Sequence, residues 1–189
     1  MTTLLLYPGA GSSSTQPSLV AIEERIAPIR CVRADFAYRK QGRKAPDRPP
    51  MLLAAIREEL SLLADDETLV IGGRSMGGRM CSMIAAGVDQ QPAPHNLGGL
   101  VLICYPLHPP GKPDRLRVEH LPSIEVPTLF VSGTKDAFGT PDELTSWTVT
   151  MSAKACVEHV WVDGKGHDLR GADRLIAESV AEFVERVTR

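Results

Sequence analysis

The sequence predicts an α/β fold in which a mostly parallel sheet of about six strands is covered by helices on both faces. Two observations carry that prediction. Six short apolar runs alternate with segments whose apolar residues recur at helical spacing, the pattern of βαβ units. The runs themselves are near-continuous in Val, Leu and Ile, as strands buried on both faces are. The length of 189 residues fits one domain, and 43% hydrophobic with 23% charged residues is an ordinary globular composition.

The strands are expected at Leu4–Tyr7, Ile29–Phe36, Leu69–Ile71, Gly99–Cys104, Thr128–Ser132 and Val157–Val162. Helical spacing runs through Leu19, Ile22, Ile26 and Ile29, then Leu52, Leu53, Ile56, Leu60 and Leu63. It continues through Met80, Met83, Ile84 and Val88, and is clearest in Leu175, Ile176, Val180, Phe183, Val184 and Val187. Pro-rich stretches at Pro46–Pro50, Pro92–Pro94 and Pro106–Pro113 read as surface loops. Between Tyr105 and Val126 only a Pro-rich loop and one short helix around Asp114–Leu121 are expected, too little for a cap domain.

Composition narrows the function classes. A net charge of -2 gives no general attraction to nucleic acid or an anionic membrane. Cys31, Cys81, Cys104 and Cys156 form no C-x-x-C pair, and each lies in or beside an apolar stretch. They are expected as small buried hydrophobes in a reducing compartment, not as a disulfide framework or zinc site. The opening Met-Thr-Thr-Leu-Leu-Leu-Tyr-Pro-Gly lacks the basic segment of a signal peptide, and no run approaches the ~20 apolar residues of a membrane helix. A cytoplasmic location is expected, with no membrane or nucleic-acid partner. The basic run Arg39, Lys40, Arg43, Lys44 and Arg48 reads as a solvated loop.

In a parallel sheet, ligands bind beyond the carboxyl ends of the strands, where the winding reverses. After the third strand stands Gly73-Arg74-Ser75-Met76-Gly77, a G-x-S-x-G turn leading into a helical segment. Such a turn holds a serine exposed on a sharp bend, and the N–H of the next residue, Met76, faces any oxyanion formed at the serine. Asp136 follows the fifth strand and His167 the sixth, which gives the chain order Ser, Asp, His. A serine hydroxyl needs an imidazole to take its proton, and the imidazole needs a carboxylate to fix its tautomer. Asp142, Asp163 and Asp168 are the competing acids, the last two too close to His167 along the chain. His95, His108, His120 and His159 have weaker claims, His108 as a residue of the pocket rim. The loop after the first strand, Pro8-Gly9-Ala10-Gly11, is placed to supply the second oxyanion donor through the N–H of Ala10. Arg74 and Arg79 flank the serine turn and are both candidates to bind a substrate carboxylate, but Arg79 is expected instead to pair with a neighbouring acid and hold the helix.

These residues resemble the alpha/beta-hydrolase superfamily, in particular its small, lidless dienelactone-hydrolase-like members. The chain is most similar to the testis-expressed-protein-like branch, through GGRSMG, ICYPLHPPGK, LFVSGTKD and GxGHDL as they stand here. The resemblance covers Leu4 to Val187. It implies a minimal three-layer alpha/beta-hydrolase fold without a cap. It further implies hydrolysis of a small carboxylic ester or thioester through an acyl-enzyme, with a small-molecule acyl substrate and without metal or organic cofactor. By motif the triad carries over to Ser75, Asp136 and His167, and the oxyanion donors to Ala10 and Met76. The sequence departs from the branch at Pro8-Gly9, where relatives have His-Gly. The branch also contains a subunit of a chromatin-associated complex, so a non-catalytic interaction module is the alternative reading.

Overall fold

The computed structural model describes residues 1–64 and 66–189. Its sheet contains six parallel strands in the order β2-β1-β3-β4-β5-β6. These are β1 (Thr2–Tyr7), β2 (Arg30–Arg33), β3 (Thr68–Arg74), β4 (Leu97–Ile103), β5 (Thr128–Gly133) and β6 (Glu158–Val162). The helices are α1 (Pro17–Ile26), α2 (Ala37–Lys40), α3 (Pro49–Leu60), α4 (Met76–Ala85), α5 (Pro141–Thr148) and α6 (Asp173–Val187).

Successive strand residues point to opposite faces, and both faces are apolar, which is why the runs read as continuous. Leu4, Leu6, Val70, Val101, Ile103, Leu129 and Val131 pack under α1 and α6. Leu5, Tyr7, Leu69, Ile71, Leu100, Leu102 and Phe130 pack under α3, α4 and α5. The chain winds outward from β1 to β2 and then back through β3, so the winding reverses between β1 and β3. Loops leaving those two strands therefore diverge and open a crevice beyond their carboxyl ends.

Proline and capping residues set the helix starts. Pro17, Pro49 and Pro141 each open a helix, where a missing N–H costs nothing. Pro49 and Pro50 thus belong to α3 and not to the loop expected there. In α5, which the apolar spacing does not reveal, Thr140 and Glu143 form a reciprocal capping box. Its signal was present in Thr140-x-x-Glu143, but only Leu144 and Thr148 of this helix are buried, so no apolar stripe announces it.

The helix expected around Asp114–Leu121 is absent. The segment forms turns, followed by a 3-10 turn over Leu121–Ser123. Its backbone groups are used across the loop instead: Arg117 N–H donates to Leu107 O at 2.9 Å, and Arg117 O accepts from the Tyr105 hydroxyl at 2.6 Å. Cys81 and Cys104 are buried as expected, whereas Cys31 is half-buried and Cys156 exposed. No helix among the described residues is long and apolar enough to cross a membrane.

Candidate active site

The serine turn sits where β3 meets α4. Ser75 has φ 49° and ψ -113°, a conformation sparsely populated by L-residues, and occupies the cap position of α4. Its amide is pinned by a 2.7 Å hydrogen bond to Ile103 O of the neighbouring strand. Gly77 makes the bend possible, because a β-carbon there would lie 2.5 Å from Tyr7 O and 2.6 Å from Pro8 O. Both obstacles are backbone and cannot swing aside. Gly77→Ala is therefore expected to cost about 3 kcal/mol, read as a lower urea midpoint with an unchanged slope.

Beyond β5 and β6 the loops bring the expected partners to this turn. The Ser75 hydroxyl donates to His167 Nε2 at 2.8 Å. On its other side, His167 Nδ1–H donates to Asp136 Oδ2 at 2.8 Å and to Oδ1 at 3.0 Å. Asp136 is only 2% exposed, and its Oδ1 also accepts the Phe138 N–H at 2.8 Å. A buried carboxylate with this many donors is fixed in place and available to an imidazolium. Asp142, Asp163 and Asp168 make no hydrogen bond or ion pair with the imidazole; Asp163 instead accepts from the Thr134 hydroxyl.

Two residues hold His167: Phe138, which the sequence did not suggest, and Arg74, marked there only as a neighbour of the serine turn. Phe138 stacks on the imidazole with ring centroids 3.9 Å apart. Arg74, buried beneath the turn, donates to the His167 carbonyl at 3.0 Å and to the Ser18 hydroxyl at 3.4 Å. Arg74 thereby ties the serine turn to the histidine loop. Arg74 stands within the G-x-S-x-G turn, but that motif carries no signal for this role, and Phe138 stands outside the motifs; both act through tertiary contact.

The loop after β1 lies against the serine turn. Gly9 N–H donates to Gln16 Oε1 at 3.3 Å, Gly11 N–H to the Tyr38 hydroxyl at 3.4 Å, and Ser12 N–H to Gly9 O at 3.1 Å. These bonds anchor the loop with no histidine in it. Among the described residues the N–H groups of Ala10 and Met76 donate to no protein acceptor, and both residues line the cleft beside Ser75. Two free amides at one rim, one of them opening a helix, can hold a developing negative oxygen.

The cleft is open and about 570 Å³ in volume. Ser75, His167 and Phe138 line it together with Arg79, Arg117 and Pro106. Contrary to expectation, Arg79 pairs with no acid among the described residues, because no carboxylate reaches it from α3 or the neighbouring loops. Nor does His108 reach the cleft. It is buried against Pro109 O, to which Nδ1 lies at 2.9 Å. His120 contacts the Ser82 hydroxyl at 2.7 Å, and His159 the Thr148 hydroxyl at 2.9 Å.

Cys104, Asp136 and His167 each offer one ligand atom within 4.8 Å of the others. Burial pushes the Cys104 thiol up to about 12, so its sulfur is protonated at neutral pH. A metal would have to displace that proton and break the His167–Asp136 bond. The donor chemistry fits proton transfer better than metal binding.

Residues 1–187 match the family model described as an alpha/beta hydrolase domain. Among solved structures, the fold is similar to an alpha-beta serine hydrolase homologue from Coxiella burnetii, with a TM-score of 0.77 at 15% identity, covering 97% of this chain and 85% of that one. It is similar also to Est1E from Butyrivibrio proteoclasticus with ferulic acid bound, with a TM-score of 0.78 at 15% identity, covering 98% and 89%. A thioesterase domain from the curacin biosynthetic pathway matches with a TM-score of 0.66 at 18% identity, covering 97% and 90%. With the family model spanning nearly its whole length, the chain belongs to the alpha/beta hydrolase family.

Proposed function

We propose that the protein is a single-domain, cytoplasmic serine hydrolase that cleaves small carboxylic esters or thioesters through an acyl-enzyme. The observation that carries this reading is the unbroken hydrogen-bonded chain from the Ser75 hydroxyl through His167 to Asp136.

In the first half-reaction His167 Nε2 takes the Ser75 proton as Oγ attacks the acyl carbon. The carbonyl oxygen becomes an oxyanion facing the amides of Ala10 and Met76. Asp136 stabilises the imidazolium and holds the tautomer with hydrogen on Nδ1. His167 then protonates the departing alcohol or thiol, leaving the acyl group on Ser75. Water, deprotonated by the same imidazole, releases the acid. Each amide of the oxyanion hole contributes roughly 3 kcal/mol to such a transition state.

The open cleft and the absence of a cap between β4 and β5 favour small or exposed acyl groups over long chains. The ferulic acid bound by Est1E and the thioesterase activity of the curacin domain support the ester and thioester classes. The test is to quench the protein during turnover of p-nitrophenyl acetate and its thioester counterpart and to digest it. An acetyl group recovered on the peptide carrying Ser75 is the expected result. Folded protein with neither turnover nor adduct overturns the proposal in favour of an interaction module.

A further inference from the structure

We propose that Arg79 and Arg117 form an anion subsite of the cleft, and that the substrate is an ester carrying a carboxylate beside its scissile bond. The inference rests on the hydrolase reading for its reacting bond, and adds to it the charge of the substrate.

Arg79 stands one turn along α4 from Ser75, and its amide donates to Ser75 O at 2.9 Å. Residues four apart share a helix face, so the guanidinium rises on the side of the nucleophile and lines the same cleft. Its Nε is buried and has no acceptor among the described residues. Arg117 enters from the loop that replaces a cap. Its backbone is held at both ends, N–H to Leu107 O at 2.9 Å and O from the Tyr105 hydroxyl at 2.6 Å. Among the described residues its own guanidinium donates only to Pro106 O, at 3.4 Å.

The two guanidiniums repel. Burial and the charge of Arg79 both lower the pKa of Arg117 from its usual value. Elsewhere Arg33 is neutralised by Glu23 and Arg57 by Asp89, each at 2.8 Å, while half-buried Arg39, in no ion pair among the described residues, donates to Arg43 O at 3.2 Å. Partly buried like charges without a counter-ion are costly, so their persistence at the nucleophile calls for an anion from outside. Around the cleft three guanidiniums, those of Arg74, Arg79 and Arg117, face two carboxylates, Asp136 and Asp168. Glu119, beside Arg117 in the chain, is exposed and in no ion pair among the described residues. His120 adds no charge at neutral pH, because burial pushes it down to about 4, and burial keeps the Tyr105 phenol protonated. One positive charge is left, which a monoanionic carboxylate neutralises. Guanidinium forks suit that group geometrically.

The test compares p-nitrophenyl hemiglutarate with its neutral methyl-capped counterpart, and 4-acetoxybenzoate with its methyl ester. These pairs place the carboxylate on the acyl and the alcohol side in turn. In the wild type, kcat/KM for at least one anionic ester should exceed that of its neutral partner by about ten- to a hundred-fold, the worth of one charge-assisted hydrogen bond. Arg79→Met and Arg117→Met should each bring that ratio to within about two-fold of unity. A purely structural role would slow both members of a pair alike and leave the ratio unchanged, which overturns the proposal. So does a wild-type ratio near unity in both pairs. If no ester turns over and a fluorophosphonate leaves Ser75 unlabelled, the hydrolase reading fails by itself. Calorimetric titration with glutarate then decides the subsite: heat of binding lost in R79M/R117M sustains it, and no heat in the wild type ends it.

Discussion

Ser75→Ala is expected to lower kcat for p-nitrophenyl acetate by up to about 10⁶-fold, to the rate left by binding and the oxyanion amides alone. The substitution removes one oxygen and nothing else of consequence. The Ser75 side chain caps no N–H of α4, and its hydroxyl bonds only to His167. The helix start, the Gly77 packing and the cleft stay as they are, so the thermal midpoint should move by no more than a degree or two, well under the shift from a loss of about 1 kcal/mol. Activity lost together with the fold would point instead to a structural serine. Activity retained in folded Ser75→Ala would remove this residue from the chemistry.

Asp136→Asn is the second large effect, with a fall in kcat of about 10⁴-fold and little change in KM. The new side chain fits the same space and can still accept the Phe138 amide through its oxygen. Its NH₂, however, faces His167 Nδ1, where the carboxylate accepted at 2.8 Å. The imidazole must then carry its hydrogen on Nε2, the atom that has to receive the Ser75 proton. A loss smaller than ten-fold would mean that another acid, with Asp163 or Asp168 nearest in sequence, supports the histidine.

Much of this architecture is legible in the chain because burial on both faces leaves a plain mark. β1, β4 and β5 are runs of Leu, Val and Ile that no exposed strand would carry, and α6 repeats its apolar residues at helical spacing. α2 and α5 escape notice for the opposite reason, being short and presenting few buried side chains. The positions of Ser75, Asp136 and His167 follow from chemistry restricted to strand ends, where topology places ligands. Arg74, Phe138 and Arg117 could not be found that way. Each reaches the cleft through packing: Arg74 from the last position of β3, Phe138 by stacking, and Arg117 from a loop whose path depends on the Tyr105 hydroxyl. Arg79 shows the limit from the other side, since a partner acid can be supposed from composition but is supplied only by a neighbouring element that carries one.

The anchoring of the loop after β1 illustrates how one substitution is absorbed. Pro8 stands where the family resemblance leads one to expect histidine, yet Gln16 and Tyr38 hold the flanking amides and leave the Ala10 N–H free among the described residues. What the site requires there is a backbone direction, and several side chains can enforce it.

The most direct measurement is the rate at which a fluorophosphonate modifies folded protein, with the adduct located by mass spectrometry, in the wild type and in His167→Ala. An adduct on Ser75 whose rate falls at least about 100-fold without the imidazole is the result expected of general-base activation. An adduct at another residue, or equal rates in the two proteins, would contradict it.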